Sequence, residues 1–194
     1  YILRRLSEIK LHTCGNATLI IEKSNKPIIA TDPWLDNHTA YFGSWATSHK
    51  IPEFHKELLE KVPFIWISHF HPDHLNLRSL LELNAKEKTI LLSYQYFNRV
   101  ANDLRKSGFK VIILPPRKYI NLHDDVEIAT FPILNTADSA LLIKCKNFIV
   151  LSEPEGSAQG DICLNLNRLD SNGGGGEASL FVRTKAGQGD NVGG

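Results

Sequence analysis

Apolar residues early in the chain fall into short runs broken by charged turns. Residues 17–22 and 27–31 are rich in Ile, Leu, Ala and Thr, and Lys23-Ser24-Asn25-Lys26 separates them, a spacing that predicts a hairpin ending at Asp32-Pro33. From 36 to 51 periodicity disappears and the polar and aromatic residues Asn37, His38, Tyr41, Phe42, Gly43, Ser44 and Trp45 gather, as in a long binding loop. Residues 52–61 place Phe54, Leu58 and Leu59 on one face among charges, with Pro52 leading, which predicts a short amphipathic helix. Residues 64–67 (Phe, Ile, Trp, Ile) are continuously apolar, the mark of a strand covered on both faces. Leucines at 75, 77, 80, 81 and 83 predict a helix, 89–92 a strand, 94–107 a helix closed by Gly108, and 111–114 a strand stopped by Pro115-Pro116. Beyond that point strands dominate: 126–131, 140–144 and 147–151, the last two forming a hairpin.

This pattern supports one core domain over residues 1–151, of α/β or α+β class. Residues 152–194 are irregular, with Gly173 to Gly176 in succession; 162–166 and 179–183 are further strand candidates, but no fold is assigned to this stretch, which is either the end of the same domain or poorly ordered. In a chain of 194 residues, the 42% hydrophobic and 22% charged fractions suit a soluble domain, and no apolar run approaches the length of a membrane span. Lys and Arg number 22 against 21 acidic residues, and no dense basic tract is present, so neither a nucleic-acid nor a membrane partner is expected. The partner left is a small-molecule substrate, with oligomeric state open. Cys14, Cys145 and Cys163 form no C-x-x-C; with no signal peptide in view, a reducing, cytoplasmic setting is expected.

The densest chemistry follows the strand at 64–67. His69, His71, Asp73 and His74 place four potential ligands within six residues, with Pro72 restricting the backbone between them. Neutral imidazoles with one carboxylate favour zinc or iron over magnesium or calcium, with manganese a further possibility. The plainer alternative is a solvated loop in which Asp73 caps the helix beginning near Leu75. The conjunction of a buried strand, three histidines and a carboxylate favours the metal, and the three imidazoles are expected to turn into one cavity at the strand's end.

Residues 64–74 resemble the strand and H-x-H-x-D-H loop of the metallo-β-lactamase fold superfamily. His12, Gly15 to Glu22, and Thr31-Asp32-Pro33-Trp34-Leu35 are similar to its opening hairpin and Asp-containing turn. The Asp-Pro-Trp-Leu form, followed by Tyr41 to Trp45, resembles the branch with ascorbate-phosphate lactonase-like proteins and sugar-nucleotide hydroxylase relatives. The resemblance spans about residues 9–151. It implies an αββα sandwich, an α+β fold of two mixed sheets with outer helices. It also implies that His69 and His71 hold one zinc ion, and Asp73 and His74, the expected catalytic pair, a second, with a water between. Asp32 would support the metal loop through hydrogen bonds, its alternative being a turn former before Pro33.

The superfamily adds a later histidine and a bridging aspartate. Asp138, before the strand at 140–144, is the candidate for the first, a carboxylate in place of imidazole; His123 reads as an exposed turn residue. Asp170 is preferred to Glu153 for the second. His12 reads as a structural histidine, His38, His49 and His55 have less support still, and Tyr41, Trp34 and Trp45 read as pocket or packing residues. The implied activity is metal-dependent hydrolysis of a small ester, lactone, amide or phosphoester through a metal-activated water. Two alternatives stand beside it. One is an iron-dependent oxygenase drawing electrons from elsewhere, since the chain lacks the C-x-H and C-x-x-H pair of a Rieske cluster. The other is a binding module with an incomplete metal site.

Overall fold

The computed structural model describes residues 9–94, 98–133, 138–145, 148–153 and 178–183, the last two segments as backbone. The first sheet begins with the hairpin partners β1 (Ile9–Thr13), β2 (Leu19–Lys23) and β3 (Lys26–Thr31), joined antiparallel. It continues with β4 (Phe64–Ile67), β5 (Thr89–Ser93) and β6 (Lys110–Leu114), each parallel to its neighbour. Parallel neighbours need crossovers, and these carry α1 (Glu53–Lys61), α2 (Leu77–Glu82) and α3 (Arg99–Lys106). The second sheet runs in the order β11 (Ala178–Arg183), β10 (Phe148–Glu153), β9 (Ser139–Cys145), β8 (Val126–Pro132), β7 (Ile120–His123). Its pairs are antiparallel apart from β10 with β11. Both sheets are therefore mixed.

Side-chain alternation on the central strands builds two cores. Ile65 and Ile67 of β4 and Ile90 and Leu92 of β5 face the helices, meeting Leu59, Leu80, Ala101 and Leu104. Trp66 and Leu91 point the other way, into a second core shared with Val126, Ile128, Leu141 and Ile143. Strands buried on both faces have no polar positions to alternate, which is why 64–67 reads as a continuous apolar run. Among the described residues the layers are helix, sheet, sheet, and no helix of theirs lies on the outer face of the second sheet. No helix among them is long and apolar enough to cross a membrane.

Several expectations shift. The helix after the histidine loop starts at Leu77, capped by Asn76, whose side chain accepts from the Ser79 amide at 3.0 Å; Asp73 is not the cap. The helix expected over 94–107 is described only as α3, beginning at Arg99 after a left-handed Asn98. Residues 120–123 form β7 rather than a turn, and the strand expected over 179–183 is present as β11. Asp170 and the strand expected over 162–166 lie outside the described residues.

Candidate metal centre

The loop of interest leaves the carboxyl end of β4, the edge of a parallel sheet where ligands ordinarily sit. Two neighbours converge on it. From β3, Asp32 follows with a left-handed φ of 40°, a conformation Asp tolerates better than most residues. Its amide donates to Trp66 O at 2.8 Å, and its carbonyl accepts from Thr18 Oγ1 at 2.8 Å. From the other sheet, Ser139 at the start of β9 donates its hydroxyl to Ser68 O at 2.8 Å, tying the second sheet to the root of the loop.

Buried Asp32 and Ser68 organise the loop's histidines. Asp32 Oδ1 accepts from the Ser68 amide at 2.8 Å, and Oδ2 accepts from the Ser68 hydroxyl at 2.7 Å. His69 Nδ1 lies 2.9 Å from Ser68 Oγ, and His74 Nδ1 lies 3.0 Å from Asp32 Oδ2. A carboxylate can only accept, and the one hydroxyl proton of Ser68 is committed to it. The network therefore assigns a proton to Nδ1 of both His69 and His74. In the neutral ring Nε2 is then the lone pair, the form in which imidazole binds a metal, with the other nitrogen anchored as in metal-ligating histidines generally.

Each Nε2 faces a further donor. His69 Nε2 is 2.8 Å from Nδ1 of His71, and His74 Nε2 is 3.6 Å from Asp73 Oδ2. The other Asp73 oxygen accepts a hydrogen bond from the Tyr41 hydroxyl at 2.9 Å. His69, Asp73 and His74 are buried, while His71 is exposed. Burial, followed by the neighbouring His74, lowers the His69 pKa to about 4, so this imidazole is neutral at physiological pH. For His74 burial also acts downward, but the charge and hydrogen bond of Asp32, with Asp73 and Asp138, outweigh it and the net shift is upward. Burial and then Asp73 push the Tyr41 phenol up to about 12, keeping it a donor.

The donors come in pairs. Among the described residues, no group of three or more His, Cys, Asp or Glu side chains stands ready to hold an ion, so the three imidazoles do not open on one common point as expected. The physical reason is local: His71 spends Nδ1 on a hydrogen bond to His69, and the two anchored histidines are turned by Ser68 and Asp32. The donor set nevertheless fits a transition metal. A tautomer change at His71 leaves two lone pairs face to face, and Asp73 adds a carboxylate beside the free nitrogen of His74. Asp138 Oδ1 stands 3.3 Å from Nδ1 of His69, the nitrogen turned toward Ser68 rather than the one facing His71. That is where a carboxylate orients a ligand, not where it would share an ion with Nε2.

The other histidines lie elsewhere. His12 contacts Glu22, Phe54 and His55; His38 bonds Glu82 at 2.7 Å; His49 bonds the Cys14 carbonyl at 2.8 Å; His123 is exposed beside Asp124. Trp34 is buried, donating to His38 O, and Trp45 packs on Tyr41. An open groove of about 750 Å³ runs between residues 39–43 and 70–78, with Phe42, Phe70 and Leu77 exposed on it and Tyr41 shared with the site. Sequence reasoning missed Ser68 and Ser139. Ser68 could have been suspected from its place before the first histidine; nothing local marks Ser139.

No family model matches the chain. Among solved structures it is similar to a metallo-β-lactamase fold protein, YhfI of Bacillus subtilis, with TM-score 0.55 and 14% identity over 80% of this chain and 65% of that one. The chain has the metallo-β-lactamase fold. Two further structures share this fold's outline. One is a mutant of the CmlA beta-hydroxylase, with TM-score 0.60 and 19% identity over 77% of this chain and 31% of that one. The other is an isothiocyanate hydrolase from Delia radicum gut bacteria, with TM-score 0.57 and 16% identity over 84% and 68%. Among curated proteins the chain is 30% identical over 134 residues to cytidine monophosphate-N-acetylneuraminic acid hydroxylase of Asterias rubens, 64% of this chain and 20% of that protein. It is 29% identical over 101 residues, 52% of this chain and 19% of the other, to a protein of Mycolicibacterium smegmatis named as a Rieske 2Fe-2S iron-sulfur protein. The matched stretch is about a fifth of the length of these curated relatives.

Proposed function

We propose that the chain carries a two-metal catalytic centre of the metallo-β-lactamase fold, with His69 and His71 holding one ion, Asp73 and His74 the second, and iron-dependent hydroxylation as the reaction. The observation behind the metal assignment is that His69 and His74 both keep Nδ1 for Ser68 and Asp32 and turn Nε2 toward another potential ligand. The reaction class rests on the sequence relatives, one named a hydroxylase and the other an iron-sulfur protein of the Rieske type. The finer branch suggested by the Asp32-Pro33-Trp34-Leu35 turn agrees with this reading. Iron bound here supplies dioxygen activation, which consumes O2, two electrons and two protons for each hydroxyl transferred. The chain has no C-x-H and C-x-x-H pair, so the electrons come from another domain or protein.

The chain's own residues do the rest. Asp32 and Ser68 fix the faces of His69 and His74, and Asp138 backs His69. The aromatic groove bordering Tyr41 accepts a small-molecule substrate. Hydrolysis is the second reading, because the same donor set suits zinc, which supplies an activated water near neutral pH. Asp170 stays a candidate for the bridging position on either reading.

One pair of assays separates the two. The iron-loaded protein with a chemical reductant is expected to consume O2, and Asp73→Asn to abolish that consumption. A zinc-loaded protein that hydrolyses chromogenic esters or lactones, alongside an iron form inert to O2, would instead establish the hydrolase.

A further inference from the structure

Tyr41 lies in a turn whose backbone is strained. Tyr41, Phe42 and Gly43 take left-handed φ values of 47°, 57° and 96° in succession. Such a conformation suits the glycine, but for each of the two other residues it costs about 1–2 kcal/mol. A strained segment persists only where its surroundings over-determine it. Here Ala40 and Trp45 close the turn with paired backbone bonds of 2.9 and 3.3 Å, and the Tyr41 ring packs on Trp45 with centroids 4.8 Å apart. Asn76 donates to Thr39 O at 3.2 Å and to Pro72 O at 3.0 Å, pinning the turn to the metal loop. This bracing holds the Tyr41 hydroxyl where it donates to Asp73 Oδ1 at 2.9 Å.

Asp73 is buried, and its two oxygens are treated differently. Oδ1 takes the phenol proton, while Oδ2 is left toward Nε2 of His74 at 3.6 Å. A carboxylate with one oxygen held by a donor can present the other in a single direction. We infer that Tyr41 is a positioning residue, whose hydroxyl locks the Asp73 carboxylate so that Oδ2 and His74 Nε2 together form the second-ion half of the site. This rests on the assignment of Asp73 and His74 to an ion made above. It predicts that loss of the hydroxyl acts on one ion: Tyr41 makes no hydrogen bond to His69 or His71, and its ring, 6.4 Å from that of His71, is kept in Tyr41→Phe.

The test is a cobalt(II) titration of the metal-depleted protein, followed by visible absorption and by equilibrium dialysis, in wild type, Tyr41→Phe and Phe42→Ala. Tyr41→Phe keeps the ring and its packing on Trp45 and removes only the O–H. Wild type is expected to take two equivalents. Tyr41→Phe should bind the first as wild type does and the second about 10- to 100-fold more weakly, the usual effect of losing a group that orients a ligand. Phe42→Ala, on the same turn but pointing into solvent, should match wild type for both. Second-ion affinity in Tyr41→Phe within twofold of wild type overturns the inference while leaving the metal assignment intact. So does equal weakening of both ions or failure of Tyr41→Phe to fold, since either makes Tyr41 a merely structural residue. A wild-type protein binding one equivalent overturns the inference together with the second-ion assignment on which it rests, the first-ion assignment standing if that ion is lost in His69→Ala; one binding none overturns the whole metal assignment.

Discussion

At the scale of single residues the site turns on hydrogen-bond valence. Asp32 is buried and receives two hydrogen bonds from Ser68 and one from His74. Asp32→Asn keeps the shape but sets an amide N–H2 against the Ser68 hydroxyl or the His74 N–H, donor facing donor. The expected cost is about 2–4 kcal/mol in the metal-free protein, from groups left buried and unmatched. Metal affinity should fall about 10- to 100-fold as His74 loses its anchor. Urea denaturation and a metal titration read the two effects; an unchanged unfolding midpoint would show that Asp32 is no more than a turn former. The proposed ligands His69, His71, Asp73 and His74 were legible in the sequence because six consecutive positions carry them. Ser139 was not, because its hydroxyl reaches Ser68 O across 71 positions of chain, and no local pattern records a contact made only when two sheets pack.

Elements were legible where one physical signal dominated. The hairpin of β2 and β3 follows from apolar runs flanking Lys23-Ser24-Asn25-Lys26, with Ser24 and Asn25 both left-handed in the turn, and β4 from its unbroken apolar run. Boundaries were less legible: the leucines at 75 to 83 carry helical spacing, but Asn76 starts the helix because its side chain is the one that accepts from the Ser79 amide. α1 brings a titratable group against the sheet. His55 is buried on this helix, its Nδ1 has no hydrogen-bond partner among the described residues, and its ring stands 5.5 Å from that of His12. Burial, then the His12 charge, lowers its pKa in the folded protein below the unfolded value of 6.5. Above that value both states are neutral and the group is silent. As pH falls below it, the unfolded chain takes a proton that the folded one resists, so stability drops until the folded group also titrates. His69 acts in the same direction and His74 in the opposite one. Unfolding midpoints at pH 7 and pH 5 should therefore show a smaller acid-induced loss in His55→Leu than in wild type. Equal losses in the two proteins would remove His55 from the acid response.

For the molecule as a whole, composition and periodicity reached only a mixed α and β class; the layered arrangement came from resemblance. The reason is that the order of strands within each sheet and the facing of one sheet on another are set by contacts between distant segments. Trp66 and Leu91 meet Ile128 and Leu141 in a core that no single window of sequence contains. The same packing gives the candidate site its two sides, β4 supplying the histidine loop and β9 supplying Ser139 with Asp138 just before it. The central claim is that this junction holds metal through the loop histidines. Elemental analysis of protein purified without added metal, beside His69→Ala and His71→Ala, tests it most directly. The account predicts one to two equivalents of iron or zinc in wild type and a clear loss in each variant, with both variants still folded because loop ligands bury little apolar surface. A full metal complement in both variants, or none in wild type even after zinc or iron is supplied, would contradict it.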